Sequence, residues 1–336
     1  MKEKTQKPAF FRLREHGTSL RTEALAGLTT FLTMAYIIFV NPAILSDGTG
    51  MHFEPLVTAT ILASAIGTLF VGFMANVPLA MAPGMGLNAM FTYMLVRGYG
   101  LPWQEALGVV FISGIFFLLL TVTGIRKKIV DAIPLSLRLG IGAGIGVFIT
   151  LIGLENLQLV VADPATLVAL GPLTLPVLLG LAGLAMMVVL ELRRVTGAIL
   201  IGIVSVTFLA LFLQSMGWAD GLVSSPASIV SSPVNVRDIA FQLQIWGILR
   251  LGMVGAIFSF MFVDLFDSVG SIVACGYQAG LVRKDGSIEG VDRMLQADAL
   301  ATVAGTLLGT STTTTYIFRS LHTVHVDAYF QVYLSN

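Results

Sequence analysis

Asp264 and Asp267 stand three residues apart in "FSFMFVDLFDSVGS", deep within an apolar stretch running over roughly 247–274. On a helix that spacing puts both carboxyls on nearly the same face. A charge at the centre of a membrane helix costs about 2.5–3.5 kcal/mol on insertion scales, a cost that packing alone does not offset. Desolvation raises a carboxyl pKa, and a carboxyl titrating near neutrality can carry a proton and accept N–H bonds from a ligand. Ser271, four residues beyond Asp267, shares the face. The plainer alternative is an aspartate that caps a broken helix or pairs with a base, and it fits Asp264 better than Asp267.

A second constellation is "MAPGMGLNAMF", Met81 to Phe91. Pro83 removes a backbone donor and clashes with the preceding helical turn, while Gly84 and Gly86 let the chain leave helical geometry cheaply. Broken backbone at membrane depth is tolerated only where protein or a water-filled cavity satisfies it. A half-helix beginning near Gly86 would aim its N–H groups and the positive end of its dipole into such a cavity. Asn88, on its first turn, adds two donors and an acceptor. A simple proline kink is the alternative. A second break over 310–317, "TSTTTTYI" with Thr315 in it, favours a binding site at the membrane midplane.

These groups need membrane helices to hold them, and the composition supplies those. Hydrophobic residues are 56% of the 336 and charged residues 11%, against about a quarter charged in soluble domains, and mean hydropathy is +0.88. The chain therefore reads as an all-α polytopic membrane protein. Spans are expected near 24–40, 56–75, 78–96, 104–123, 136–157, 173–190, 197–213, 247–274 and 297–309, with a last one starting near 311. A zero formal net charge gives no argument for nucleic acid. With the N-terminus inside, fifteen of the nineteen Lys and Arg fall at cytoplasmic ends, and Arg97, Arg237 and Arg250 fall outside. Seven spans then precede the polar link at 214–246, so the second half starts from the opposite side. That is the condition for inverted repeats. The N-terminal cations precede no short apolar stretch with a cleavage site, so 1–23 reads as a cytoplasmic extension rather than a signal peptide.

Other features have blander readings. "GIGAGIG", Gly140 to Gly146, resembles a nucleotide loop but lies in a span, where small residues let helices approach closely. Glu155 and Asn156 lie near the outer end of the fifth span, within reach of water. His322 and His325 have a spacing a metal could use but no further ligand, and Cys275 is the one cysteine. No metal, no cofactor and no enzymatic constellation is expected.

Together, "LREHGTSLRTEALAGLTTFLTMAYIIFVNP", "APGMGLNA", "SLRLGIGAGIGVFI", "DLFDSVGS" and "GTSTTTTYI" resemble the azaguanine-type purine permeases, a branch of the nucleobase-cation symporters. The resemblance implies a seven-plus-seven inverted-repeat transporter fold with broken third and tenth spans, in which a core domain moves against a gate domain. On this chain the core takes 24–123 and 247–317, the latter in part, and the gate 124–213, with 214–246 as an extracellular or periplasmic linker. The resemblance puts the substrate on Asn88, Asp267 and Ser271, gives Asp267 the coupling proton, and makes Pro83, Gly84, Gly86 and Thr315 the broken-helix backbone. It implies a purine nucleobase (adenine, guanine or hypoxanthine) and a proton as partners, membrane lipid as surroundings, and the cytoplasmic membrane as location. A homo-oligomer is compatible with it.

The family continues from the tenth-span tyrosine and isoleucine into a glutamate and serine, where this chain has Phe318 and Arg319. The tail 318–336 departs from the family, and four C-terminal spans are expected to be missing. Two further readings follow from that departure: a truncated remnant that does not transport, or a carrier of another solute such as an anion.

Overall fold

The structure is a computed structural model that describes residues 18–77, 79–124, 135–218, 232–248, 253–278 and 290–316. Phe318, Arg319, His322, His325 and the tail 318–336 lie outside the described residues, as do most of the N-terminal extension and the middle of the polar link.

The architecture is mostly helical. Among the described residues six segments are long and apolar enough to cross a membrane: Leu20–Ser46, Phe53–Met74, Trp103–Val122, Leu175–Leu192, Ala198–Ser215 and Met253–Ile272. The chain is a multi-pass membrane protein. The first segment is two helices, α1 (Leu20–Met34) and α2 (Ile37–Ser46), stacked end to end. Ser19 starts α1 by accepting the Thr22 N–H at 3.2 Å, a side-chain cap on an otherwise orphan donor. α3 is Phe53–Met74.

The third span is broken, as its glycines and proline predict. A three-residue strand β1 (Met81–Pro83) leads into a single helical turn α4 (Met85–Ala89), which widens into a π-helical stretch over Met90–Gly98. Then come α5 (Trp103–Val122), α6 (Leu135–Asn156), a hairpin of β2 (Val160–Asp163) and β3 (Leu167–Leu170), α7 (Leu175–Leu192), α8 (Ala198–Ser215), α9 (Met253–Gln278), α10 (Val291–Leu307) and β4 (Thr313–Thr315). The hairpin is not among the expected elements. Its turn is closed by Asp163, whose Oδ1 accepts the N–H groups of Thr166 at 2.9 Å and Ala165 at 2.8 Å. Those bonds to Thr166 and Ala165 hold the carboxyl below its ordinary range.

α3 and α10 pack side by side at the centre, with α5, α9 and the strands against them. Phe91, Leu56, Leu107, Ile248 and Phe260 form the largest buried cluster, and a second unites Val71, Met81, Met294 and Ala301. α7 and α8 pair with each other and turn Leu178, Leu184, Val188, Phe208 and Phe212 outward, the side chains a lipid-facing surface requires.

Three details depart from the sequence reading. The eighth span is expected from about residue 247, yet residues 246–248 form a turn, and the described part of the helix runs over Met253–Gln278. The described stretch before it, 232–248, is no loose connector: Ile239 and Ile248 are buried, Gln244 N–H donates to the Gln104 carbonyl at 2.9 Å and Phe241 N–H to the Leu307 carbonyl at 2.8 Å. Those apolar side chains find a dry seat at the ends of α5 and α10. Second, Gly140, Gly144 and Gly146 face open space, with no heavy atom within 4 Å of where a Cβ would stand, so they do not serve close helix approach among the described residues. Third, Asn156 does more than reach water. Its side chain donates to the Tyr93 hydroxyl at 3.4 Å, Tyr93 donates to Asp47 at 2.7 Å, and Arg97 pairs with Asp47 at 2.6 Å.

Gly108 on α5 touches the Gln244 carbonyl and the Ile248 side chain, so any Cβ there must displace the segment. Gly108→Ala should therefore cost about 1–3 kcal/mol, the range for overpacking. A thermal-melting comparison in detergent checks this, with an unchanged midpoint counting against the packed link.

Candidate functional site

The two broken spans meet. β1 and β4 pair antiparallel with Met81 opposite Thr315, Ala82 opposite Thr314 and Pro83 opposite Thr313. The ladder extends at both ends, where Gly84 N–H donates to the Thr312 carbonyl and Tyr316 N–H to the Ala80 carbonyl, each at 3.1 Å. Each strand's missing helical partners are thus supplied by the other, which lets non-helical backbone sit at membrane depth.

A threonine from a helix clasps each strand. Thr68 of α3 accepts the Met81 N–H at 3.0 Å and donates to its carbonyl at 3.2 Å. Thr302 of α10 donates to the Thr313 carbonyl at 3.1 Å. The Tyr316 hydroxyl closes over the crossing by donating to the Pro83 carbonyl at 2.8 Å.

Asp267 comes to this crossing from α9. Its Oδ2 lies 3.7 Å from the point a Cβ on Gly84 would occupy, and the Thr314 methyl lies 2.9 Å from that same point. The carboxylate therefore stands at the start of α4, where the first-turn N–H groups of a helix lack intrahelical partners. Asp267 and Ser271 are half-buried, whereas Asp264 is fully buried. The structure brings Asp267, Gly84, Pro83 and Thr315 to one crossing, with Gly86 in the first turn of α4. Ser271 lies a turn further along α9.

Asn88, expected to face a ligand, is partly engaged by the protein itself. It is fully buried, and its Nδ2 donates to Asn41 Oδ1 at 2.5 Å. One donor is therefore committed to the protein, and its Oδ1 is buried without a hydrogen-bond partner among the described residues. Leaving such an acceptor unmet costs about 1–3 kcal/mol.

Sequence reasoning missed several residues here. Asn41, Thr60 and Thr310 form a fully buried polar chain behind Asn88. Asp298 of α10 accepts from Ser268 of α9 in the interior. The available signal was a polar side chain inside an apolar span, and Asn41 stands in "IIFVNPAIL" in plain view. Threonines give weaker signals, because a helical hydroxyl can satisfy itself on its own backbone. No group of three or more His, Cys, Asp or Glu placed to hold a metal occurs among the described residues.

A Cβ on Gly84 must collide with the Thr314 methyl. Gly84→Ala should separate the strands and lower the melting midpoint, and adding Thr314→Ser, which deletes that methyl, should restore most of the loss. Failure of the second change to rescue the first would place the strain elsewhere.

Comparison with known proteins gives one consistent answer. Residues 21–319 match the permease family. A permease of Methanocaldococcus jannaschii is 48% identical over 309 residues, 92% of this chain and 69% of that protein. The adenine permease AdeP of Escherichia coli is 44% identical over 308 residues, 91% of this chain and 67% of its own length. The guanine/hypoxanthine permease PbuG of Bacillus subtilis is 43% identical over 319 residues, 92% and 71% respectively.

Proposed function

The chain belongs to the permease family, and from that premise we propose that it carries purine nucleobases across the cytoplasmic membrane by proton symport. It is a transporter rather than an enzyme. The purine reading is supported by relatives named as adenine and guanine/hypoxanthine permeases.

The observation that carries the mechanism is Asp267 beside Gly84 at the crossing of the two strands. A carboxylate at the start of a half-helix offers an acceptor to a ring N–H beside backbone donors for a ring nitrogen, the two kinds of group a purine presents. Protonation of Asp267 removes its charge from the low-dielectric site and accompanies the base, while Asn88 and Ser271 complete the contacts. Release of both on the other side resets the carboxylate.

The core, 24–123 with 247–317, moves against the gate, 124–213, with the N-terminus on the cytoplasmic side. The inverted-repeat reading gains support from the two clasps. In each half the helix before the strand, α3 or α10, sends one threonine to the strand's first residue, Met81 or Thr313. The anion alternative depends on Phe318, outside the described residues, and nothing at the crossing favours it.

Cells lacking their own purine carriers and expressing this chain should take up labelled hypoxanthine or adenine. Uptake should fall as external pH rises, because fewer protons are available to load Asp267, and a protonophore should collapse it. Asp267→Asn should reduce uptake at least a hundredfold at unchanged membrane abundance. Undiminished uptake by that variant would remove Asp267 from the mechanism, and sodium-dependent, pH-independent uptake would remove the proton.

A further inference from the structure

Two asparagines facing each other form an ambiguous pair, since either amide can be donor or acceptor to the other. Here the ambiguity is lifted from behind. The Thr60 hydroxyl has one proton, and it is given to the Leu56 carbonyl at 2.6 Å. Toward Asn41, 2.6 Å away, Thr60 can therefore only accept, so the Asn41 atom that meets it is Nδ2. That same Nδ2 reaches Thr310 at 3.0 Å, a hydroxyl that can donate or accept and so does not choose a direction.

With Nδ2 turned to Thr60, Asn41 offers Oδ1 to Asn88, and Asn88 must answer with its Nδ2, as it does at 2.5 Å. What remains to Asn88 is the second hydrogen of Nδ2 and Oδ1, an acceptor that is fully buried and has no partner among the described residues. Four elements contribute: α3 with Thr60, α2 with Asn41, the approach to β4 with Thr310, and α4 with Asn88.

We propose that Thr60 and Asn41 are positioning residues, a directional relay that fixes Asn88 as a hydrogen-bond acceptor toward the substrate, so that the site selects a base presenting an N–H there. The ligand part of this inference rests on the purine reading given above, and the relay itself does not.

The relay is tested first without ligand, on the full chain in detergent. Asn88→Asp sets a carboxylate oxygen against Asn41 Oδ1 and should lower the melting midpoint. Thr60→Val, of nearly equal volume, frees Asn41 to flip and offer its amide hydrogens, so Asn88→Asp should cost clearly less in that background. Additive effects of the two changes would overturn the relay, whether or not any purine binds.

The ligand part is read from equilibrium binding of hypoxanthine and its singly N-methylated derivatives to the reconstituted full chain. In the unaltered protein at least one methyl should weaken binding tenfold or more. That penalty should shrink severalfold in Thr60→Val and return in Thr60→Ser, which keeps the hydroxyl. A merely structural role would weaken all these ligands alike and leave the penalty intact, which would overturn the assignment of Asn88 as the selecting acceptor. Sub-additive melting with no purine bound by the unaltered chain would uphold the relay and remove the purine reading.

Discussion

Backbone hydrogen bonding at membrane depth is the constraint on which the rest of this molecule depends. A chain that leaves the helix there exposes N–H and C=O groups to hydrocarbon, each at a cost of several kcal/mol. Two breaks placed far apart in sequence, over Met81–Pro83 and Thr313–Thr315, resolve this by pairing with each other. Neither break is tolerable alone, so the third span and the tenth segment must arrive together. The close contact of α3 with α10 is what brings them there.

Once the strands are paired, the surrounding chemistry follows from geometry. Gly84 leaves space that a side chain would fill, and the carboxylate of Asp267 and the methyl of Thr314 come close to that space. Thr68 and Thr302 satisfy what the two-stranded ladder leaves over. Apolar helices can supply the enclosure, yet only a few polar atoms have an assigned direction. Around Asn88 that direction originates in a hydroxyl on a different helix, through a proton committed to a backbone carbonyl.

The surroundings divide by exposure in a way that matches a membrane. α7 and α8 are apolar on almost every side and present large side chains outward. Helices α3, α5 and α10 bury many alanines, glycines and threonines against one another. Small residues permit that approach: a Cβ on Gly67 would meet Ala301 and Met81 at 3.2 Å, and one on Gly114 would meet Thr302 at 3.1 Å.

Much of this was legible in the sequence, for reasons of local chemistry. Long apolar segments declare spans because hydrocarbon admits nothing else, and Pro83 with its glycines declares a break because a proline lacks the N–H a helix needs. A carboxyl such as Asp267 inside a span stands out by its desolvation cost. Tertiary structure alone decided that β1 faces β4 in this register, that Ile239 and Ile248 turn part of a link into core, that Gly140, Gly144 and Gly146 face open space among the described residues, and that Asn88 has one donor already spent on Asn41. Those outcomes depend on which groups meet across 19 or 269 positions of chain, as the bonds of Asn41 to Thr60 and Thr310 do. A hydrogen bond's direction is settled only when every neighbour's proton is placed.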